Sequence, residues 1–354
     1  MIKIEKKIAV GILGATGSVG QKFIQLLSAH PWFEINELVA SDRSAGKKYN
    51  EAVNWVQDTA LPPAIADKTV LDSKASLKSR ILFSALDAGI AETIEKQLAA
   101  KGHIVISNAR NHRFHPQVPL LIPEVNPDHL QAIFTQHFGD GHIITNPNCS
   151  TTGLVLALKP LHQRFGVRKV QVVTMQALSG AGFPGVSSLQ IMDNIIPHIK
   201  NEEAKMETEP LKLLGSWNGQ EFVHASMLIS ASCNRVPVID GHLESVSVEL
   251  EKSAGADELI AAWEEFKALP QSLQLPSAPR QVIHYFTEPD FPQPRLHRNL
   301  EGGMAVSVGR LRPCPILDYK FHVLSHNTIR GAAGGAILNA ELLLAQLGEK
   351  LGLL

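Results

Sequence analysis

The stretch KIAVGILGATGSVG, residues 7–20, decides how the first part of the chain folds. Lys7 to Leu13 is a short apolar run, as a buried strand requires. Gly11, Gly14, Gly17 and Gly20 recur every third residue. Glycine there permits positive φ and lets a phosphate approach the backbone. Gln21 to His30 follows with helical spacing, Phe23, Ile24 and Leu27 on one face, and Pro31 ends it. A strand, a glycine-rich turn and a helix in that order make a nucleotide cradle, because the helix N-terminus offers free N–H groups to a pyrophosphate. The spacing is Gly-x-x-Gly-x-x-Gly rather than the commoner Gly-x-Gly-x-x-Gly. The expected contacts are Gly14, Thr16, Gly17, Ser18 and Val19.

Working outward, Glu34 to Ala40 reads as a second strand, Arg80 to Leu86 as another and His103 to Ser107 as a further one, with a helix near Ala91 to Lys101. Strands alternating with helices imply βαβ units and a parallel sheet. The residues after the second strand usually meet the ribose. Here they are Ser41-Asp42-Arg43-Ser44. Arg43 between Ser41 and Ser44 suits the 2′-phosphate of NADP, since a guanidinium pairs bidentately with phosphate. Asp42 would suit the 2′-hydroxyl of NAD instead. The balance favours NADP.

After Cys149 the pattern changes. Ser150 to Phe165 reads as a helix and Val167 to Ala177 as a strand. Ser245 to Leu250, Met304 to Leu311 and Tyr319 to Leu324 alternate apolar and polar, which suits a sheet with one buried face. Ser187 to Leu214 reads as an inserted helical stretch, Gln271 to Pro294 as a long proline-rich surface connection, and Gly334 to Leu347 as a closing helix. The fold class expected is α/β: a Rossmann-type dinucleotide-binding domain plus an α+β domain with a mixed sheet.

The 354 residues fit about two domains. A net charge of -1 gives no general attraction to nucleic acid or membrane. No apolar run reaches the ~18 residues of a membrane span. Three cysteines, Cys149, Cys233 and Cys314, argue against a disulfide framework, and the leading residues Met1 to Lys7 lack the apolar core of a secretory signal. The expectation is a cytoplasmic chain. No His-Glu-x-x-His or similar metal signature occurs, so no metal site is expected.

The strongest chemical signal is Asn146-Pro147-Asn148-Cys149-Ser150-Thr151-Thr152-Gly153. Cys149 falls where a loop becomes a helix N-terminus, a setting that lowers a thiol pKa and so produces the reactive thiolate. A buried structural cysteine is the competing reading, against which the polar neighbours argue.

Several stretches together resemble the aspartate-semialdehyde dehydrogenase family, in its archaeal and fungal-type branch. They are GILGATGSVGQKF, ASDRSAGKKY, SNARNHR, LIPEVNPDHL, NPNCSTTGLVLALKPL, TMQALSGAGFPGVSSLQIMDNIIPHI, CNRVPVIDGHLESVSVELE and HNTIRGAAGGA. The resemblance implies NADPH-dependent reduction of L-aspartyl 4-phosphate to aspartate 4-semialdehyde, a step of lysine, threonine, methionine and isoleucine biosynthesis. It implies Cys149 as nucleophile, forming an acyl thioester, and His242 of Gly-His-x-Glu as acid/base. Gln176 is implied beside the thioester. Arg235 of Asn-Arg-Val-Pro is implied at the α-carboxylate, and Arg110 and Lys205 at the phosphate. Glu202, preferred over Glu203, is implied at the substrate ammonium. Ser179, Gly180 and Asn327 are implied near the nicotinamide.

The implied domain division is 1–149 with 331–354, and 150–330, in a homodimer or homotetramer. Cys233 and Cys314 are left without a role. The rival readings are a malonyl-CoA reductase or another acyl reductase on the same plan, and a non-catalytic NADP-binding sensor. The Pro-Gly-Cys-Tyr-Pro-Thr motif of N-acetyl-γ-glutamyl-phosphate reductases is absent from the sequence.

Overall fold

The structure is a computed structural model that describes residue 4 and residues 6–354. The rest of the leading segment, residues 1–3 and 5, lies outside the described residues.

Six strands form the first sheet: β1 (Ile8–Leu13), β2 (Phe33–Val39), β3 (Val70–Leu71), β4 (Ile81–Ser84), β5 (Ile104–Ser107) and β6 (His142–Thr145). Their order is β3-β2-β1-β4-β5-β6 and every pairing is parallel. This is the doubly wound order in which ligands bind beyond the carboxyl ends of the strands, where the order reverses. That reversal lies between β1 and β4, so the turn after Leu13 faces the crevice. Gly14 takes φ +73° there, and a Cβ on it would stand 2.5 Å from the carbonyl oxygen of Ala85. The turn is held from behind by Tyr49, whose hydroxyl donates to Ala15 O at 2.7 Å. The helix Ser18–Leu27 then buries Phe23, Ile24 and Leu27, the face its spacing predicts.

The closing helix Gly334–Leu347 is apolar nearly all round, so it must be covered on all sides. It is buried within the same core as β1, β4 and β5. Asn339 on this helix donates to Asn146, and Asn146 donates to Ala332 O at 2.8 Å. These bonds tie the end of the chain to the loop that precedes Cys149.

A two-stranded ribbon, β8 (Ser216–Trp217) with β9 (Phe222–Val223), stands apart from the second sheet. That sheet holds β7 (Val167–Gln176), β10 (Leu228–Arg235), β11 (His242–Leu250), β12 (Ile283–Phe286), β13 (Val306–Pro313) and β14 (Tyr319–Ser325), in the order β10-β7-β11-β14-β13-β12. β7–β10 and β12–β13 are parallel and the rest antiparallel, so the sheet is mixed. One face packs on the helix Cys149–Phe165 around Leu154, Leu158, Val172, Val246 and Phe321. The other leaves apolar side chains such as Val173 and Leu228 exposed.

Two expectations change. Residues 187–214 are not one helical stretch: Ser188–Ile191 is a single turn, and a second helix spans Glu202–Leu213. Pro197 explains the break, because the residue before a proline is driven extended, and Ile196 pairs with Arg235 as a bridge. Gln271–Pro294 is not only a connection. It contains β12, the far edge of the mixed sheet, whose four residues Ile283–Phe286 are too few to show a period.

Candidate active site

Asn148 sets the geometry around the nucleophile. Its side-chain oxygen caps the helix, accepting from the N–H groups of Ser150 (3.0 Å) and Thr151 (3.2 Å). Its side-chain amide donates to Glu202 at 2.6 Å, and its backbone N–H donates to Glu209 at 2.7 Å. With every polar group engaged, Asn148 fixes Cys149 as the first helical residue. Gly331 closes the other side. A Cβ there would lie 2.7 Å from Cys149 Cβ and 2.8 Å from its Cα, so only glycine admits the approach.

Cys149 Sγ lies 3.2 Å from Nε2 of His242, the first residue of β11. The N–H of Ala177 donates to His242 Nδ1 at 3.0 Å. A backbone N–H can only donate, so Nδ1 is the acceptor and the proton of the neutral ring sits on Nε2, facing sulfur. Burial, helped by the neighbouring Arg235 charge, holds His242 well below the ordinary imidazole range. Burial and then the Glu202 charge push the Cys149 thiol up to about 12, while Lys205, Arg235 and Arg113 pull it down. This reverses the expectation of a lowered thiol pKa. The helix terminus is present, but burial and a carboxylate outweigh it. The resting pair is a neutral thiol beside a neutral imidazole.

Gln176 and Arg235 end the neighbouring strands β7 and β10 in register with each other, and both are buried. Arg235 donates to Ala177 O at 2.6 Å, and Gln176 to Thr174 at 3.2 Å. Asn327 bridges two loops: its oxygen accepts from Gly241 N–H at 2.9 Å, just before His242, and its amide donates to Ser179 at 2.7 Å. Gly180 lies against Arg235 and His242. Glu202 is buried and ion-paired with Lys205 three residues on.

In front of Cys149 a cleft of about 710 Å³ runs to the glycine-rich turn. Gly14, Thr16, Gly17, Ser18 and Val19 line one end, with Ser41 and Arg43. Ser179, Gly180 and Asn327 line it near the sulfur, with Lys205 and Arg110. Ser44 and Asp42 do not line it; Ser44 instead donates its N–H to Ser41 O in a turn.

The sequence reading passed over Arg113. Arg110 lies on the exposed rim, whereas Arg113 is buried and still reaches the cleft. Its terminal nitrogens donate to Glu209 (2.7 Å) and to Asn108 O (2.9 Å), while its buried Nε has no partner. Arg113 therefore brings a buried guanidinium, with N–H groups that have no protein partner, to the wall of the cleft. The sequence signal was only a second arginine three residues after the first.

The chain is similar to known proteins over most of its length. The family described as "Semialdehyde dehydrogenase, NAD binding domain" matches residues 9–133, and "Semialdehyde dehydrogenase, dimerisation domain" matches residues 158–330. The aspartate-semialdehyde dehydrogenase of Archaeoglobus fulgidus is 51% identical over 345 residues, covering 96% of this chain and 99% of that protein. That of Schizosaccharomyces pombe is 50% identical over 345 residues, covering 94% and 97%. A crystal structure of aspartate-semialdehyde dehydrogenase with NADP from Candida albicans superposes with a TM-score of 0.89 at 45% identity, covering 96% of this chain and 99% of that one. With a cysteine–histidine pair set at the mouth of a dinucleotide cleft and relatives that match end to end, the chain belongs to the aspartate-semialdehyde dehydrogenase family.

Proposed function

We propose that the chain reduces L-aspartyl 4-phosphate with NADPH to L-aspartate 4-semialdehyde and phosphate, through an acyl thioester on Cys149. The observation that carries this reading is the Cys149–His242 pair, 3.2 Å apart at a helix N-terminus that opens on the dinucleotide cleft. The cleft fits NADP by its own chemistry. The turn at Gly14 has no room for a side chain, the first helix carries no acid in its first turn, and Arg43 rather than Asp42 lines the wall. Bound NADPH supplies the hydride that reduces the acyl carbon.

The residues do the rest. The Cys149 thiol proton passes to an oxygen of the departing phosphate as the sulfur attacks the acyl carbon and the carbon–oxygen bond to phosphate breaks, so the leaving group departs as hydrogen phosphate. Lys205 and Arg113 hold the leaving phosphate; Arg110, on the rim, meets it from outside. Arg235 takes the α-carboxylate and Glu202 the ammonium, with Gln176 beside the thioester. His242 Nε2–H lies within reach of an oxygen on any carbon bonded to Sγ. It donates a hydrogen bond to that oxygen as negative charge develops, and the oxyanion left by hydride addition collapses to the aldehyde as the carbon–sulfur bond breaks and its electron pair returns to Cys149. Two cations on the cleft wall, Arg113 and Lys205, both acting on the Cys149 thiol, support a phosphate-bearing acyl substrate over a CoA thioester.

The domain division 1–149 with 331–354, and 150–330, is supported by the two cores: the closing helix shares the first with β1, and the helix after Cys149 shares the second with the mixed sheet. Assembly as a homodimer or homotetramer is supported by the dimerisation-domain match and by the apolar open face at Val173 and Leu228. Among the described residues no helix is long and apolar enough to cross a membrane, and the three cysteines are free, which supports a reducing cytoplasmic setting in amino-acid biosynthesis.

The test is the reverse reaction, with aspartate semialdehyde, phosphate and NADP, followed by reduced-cofactor absorbance beside Cys149→Ala. Phosphate-dependent turnover that the substitution abolishes is expected. Folded protein with no turnover would sink the reading.

A further inference from the structure

We propose that Glu209 is a positioning residue that sets the anion-holding guanidinium of Arg113 relative to the nucleophile. The inference deepens the reading of Arg113 as a phosphate contact and rests on it. Glu209 has no solvent exposure, lies on the helix Glu202–Leu213, and is seven residues past Glu202. Its two carboxylate oxygens take different donors. One accepts from Arg113 Nη1 at 2.7 Å and the other from the backbone N–H of Asn148 at 2.7 Å. Asn148 is the residue before Cys149 and the cap of its helix. A single buried carboxylate therefore spans from the anion-binding guanidinium to the nucleophile's own backbone.

The same helix grips Arg113 a second time. Lys212 Nζ donates to the carbonyls of Arg113 (2.8 Å), His115 (3.2 Å) and Val118 (2.8 Å). The Arg113 backbone is pinned by Lys212 and its side chain by Glu209 and Asn108, which occupy two of the five guanidinium N–H groups and leave three without a protein partner. Glu209, bonded to Nη1, fixes how the planar guanidinium presents those remaining groups. Stability alone does not call for this pair, since an apolar replacement of a buried ion pair is often as stable. What the pair does is hold the guanidinium of Arg113 on the wall of the cleft that also contains Cys149, where a phosphate leaving the acyl carbon must be held.

An amide cannot do the same. Glutamine has one acceptor oxygen and would turn an NH₂ toward the other donor, so it can keep Arg113 or Asn148 but not both. Aspartate keeps the charge and is one methylene shorter, so it too reaches only one.

The test measures steady-state constants in the reverse reaction for the unaltered chain, Glu209→Gln, Glu209→Asp, Arg113→Lys and the double variant Glu209→Gln with Arg113→Lys. Glu209→Gln and Glu209→Asp are expected to raise the phosphate KM about tenfold, from the loss of one charge-assisted bond, and to leave the aldehyde KM within about twofold. In the Arg113→Lys background, Glu209→Gln is expected to add less than about a twofold change, because the residue through which it acts is gone. Equal increments in both backgrounds, a fall in kcat with both KM values unmoved, or failure of both Glu209 variants to fold would overturn the proposal and leave Glu209 a core residue. Absence of phosphate-dependent turnover in the unaltered chain would instead sink the reading of the site, and this proposal with it.

Discussion

Arg330→Met should be the most costly single substitution outside the reacting groups. Arg330 and Glu124 have no exposed side-chain surface and form a two-pronged pair, Nη1 to Oε1 at 2.8 Å and Nη2 to Oε2 at 2.5 Å. Methionine fills the space of the arginine stem but leaves the Glu124 carboxylate buried without a counter-charge. Removing one partner of such a pair costs about 3–5 kcal/mol, a factor of roughly 10² to 10⁴ in the folding equilibrium. The companion change Glu124→Leu should recover most of that, because an apolar pair replaces a buried ion pair with little net loss. Thermal melts at matched protein concentration, followed by circular dichroism, test both; the single variant should melt on the order of 10 °C lower. A loss below ~1 kcal/mol, or a double variant no better than the single one, would refute the reasoning. The effect should reach the site as well. Arg330 belongs to the π-helical turn Ile329–Ala333, and its neighbour Gly331 is the residue that touches Cys149.

Gly331→Ala is expected to keep the fold and lose turnover on the order of 100-fold, the cost of displacing a reacting atom by about 1 Å; the NADP KM should stay put, and a loss under about threefold would mean that Cys149 has more room than the 2.7 Å approach allows. Alkylation of the ligand-free protein by iodoacetamide, resolved by peptide mapping, should be fastest at Cys314, whose thiol is held down by the backbone N–H of Leu317. At Cys149 the rate should climb about tenfold per pH unit from pH 7 to 10 without levelling near 9, since the thiolate fraction grows until the raised pKa of about 12 is reached. Glu202→Gln removes a charge that raises that pKa, so it should speed Cys149 alkylation at pH 8; an unchanged or slower rate would contradict the assignment. Arg43→Ala should raise the NADP KM at least about tenfold, the worth of one charge-assisted phosphate bond, and leave the NAD KM nearly unchanged; equal losses would remove the 2′-phosphate argument.

Much of the architecture was legible because it is local. The strand, turn and helix of residues 7–30 carry their signal in consecutive residues, and the alternation of β11, β13 and β14 follows from one buried face. What was not legible depends on distant partners. β12 is a strand only because β13 lies beside it, and its four residues cannot show a period. The raised thiol pKa was hidden for the same reason. A helix N-terminus is visible in Asn-Cys-Ser-Thr, but the burial and the Glu202 carboxylate that outweigh it come from a helix more than fifty residues later.

That helix shows why charge is a poor guide to which face is inside. Glu202, Lys205, Glu209 and Lys212 are spaced three, four and three residues apart, so they share one face. On composition, such a face belongs in water. Here it faces inward: Glu202, Glu209 and Lys212 are buried, Lys205 is partly exposed at the cleft, and each bonds to a specific group. Those groups are Asn148, Arg113, the carbonyls of residues 113, 115 and 118, and each other. Glu203 and Glu207, four residues apart on the same helix, accept from the N–H groups of Cys233 and Ala231 on the edge strand β10. No apolar helix could hold these partners, because each is a backbone, side-chain amide or charged group that would be left unpaired. The helix is thus less a piece of core than a set of clamps. One clamp grips the cap of the nucleophile's helix, a second the buried Arg113 guanidinium, and a third the loop that carries Arg113. A charged face at helical spacing in the sequence can therefore mark a buried scaffold wherever a nucleophile loop and an arginine loop have to be held in register.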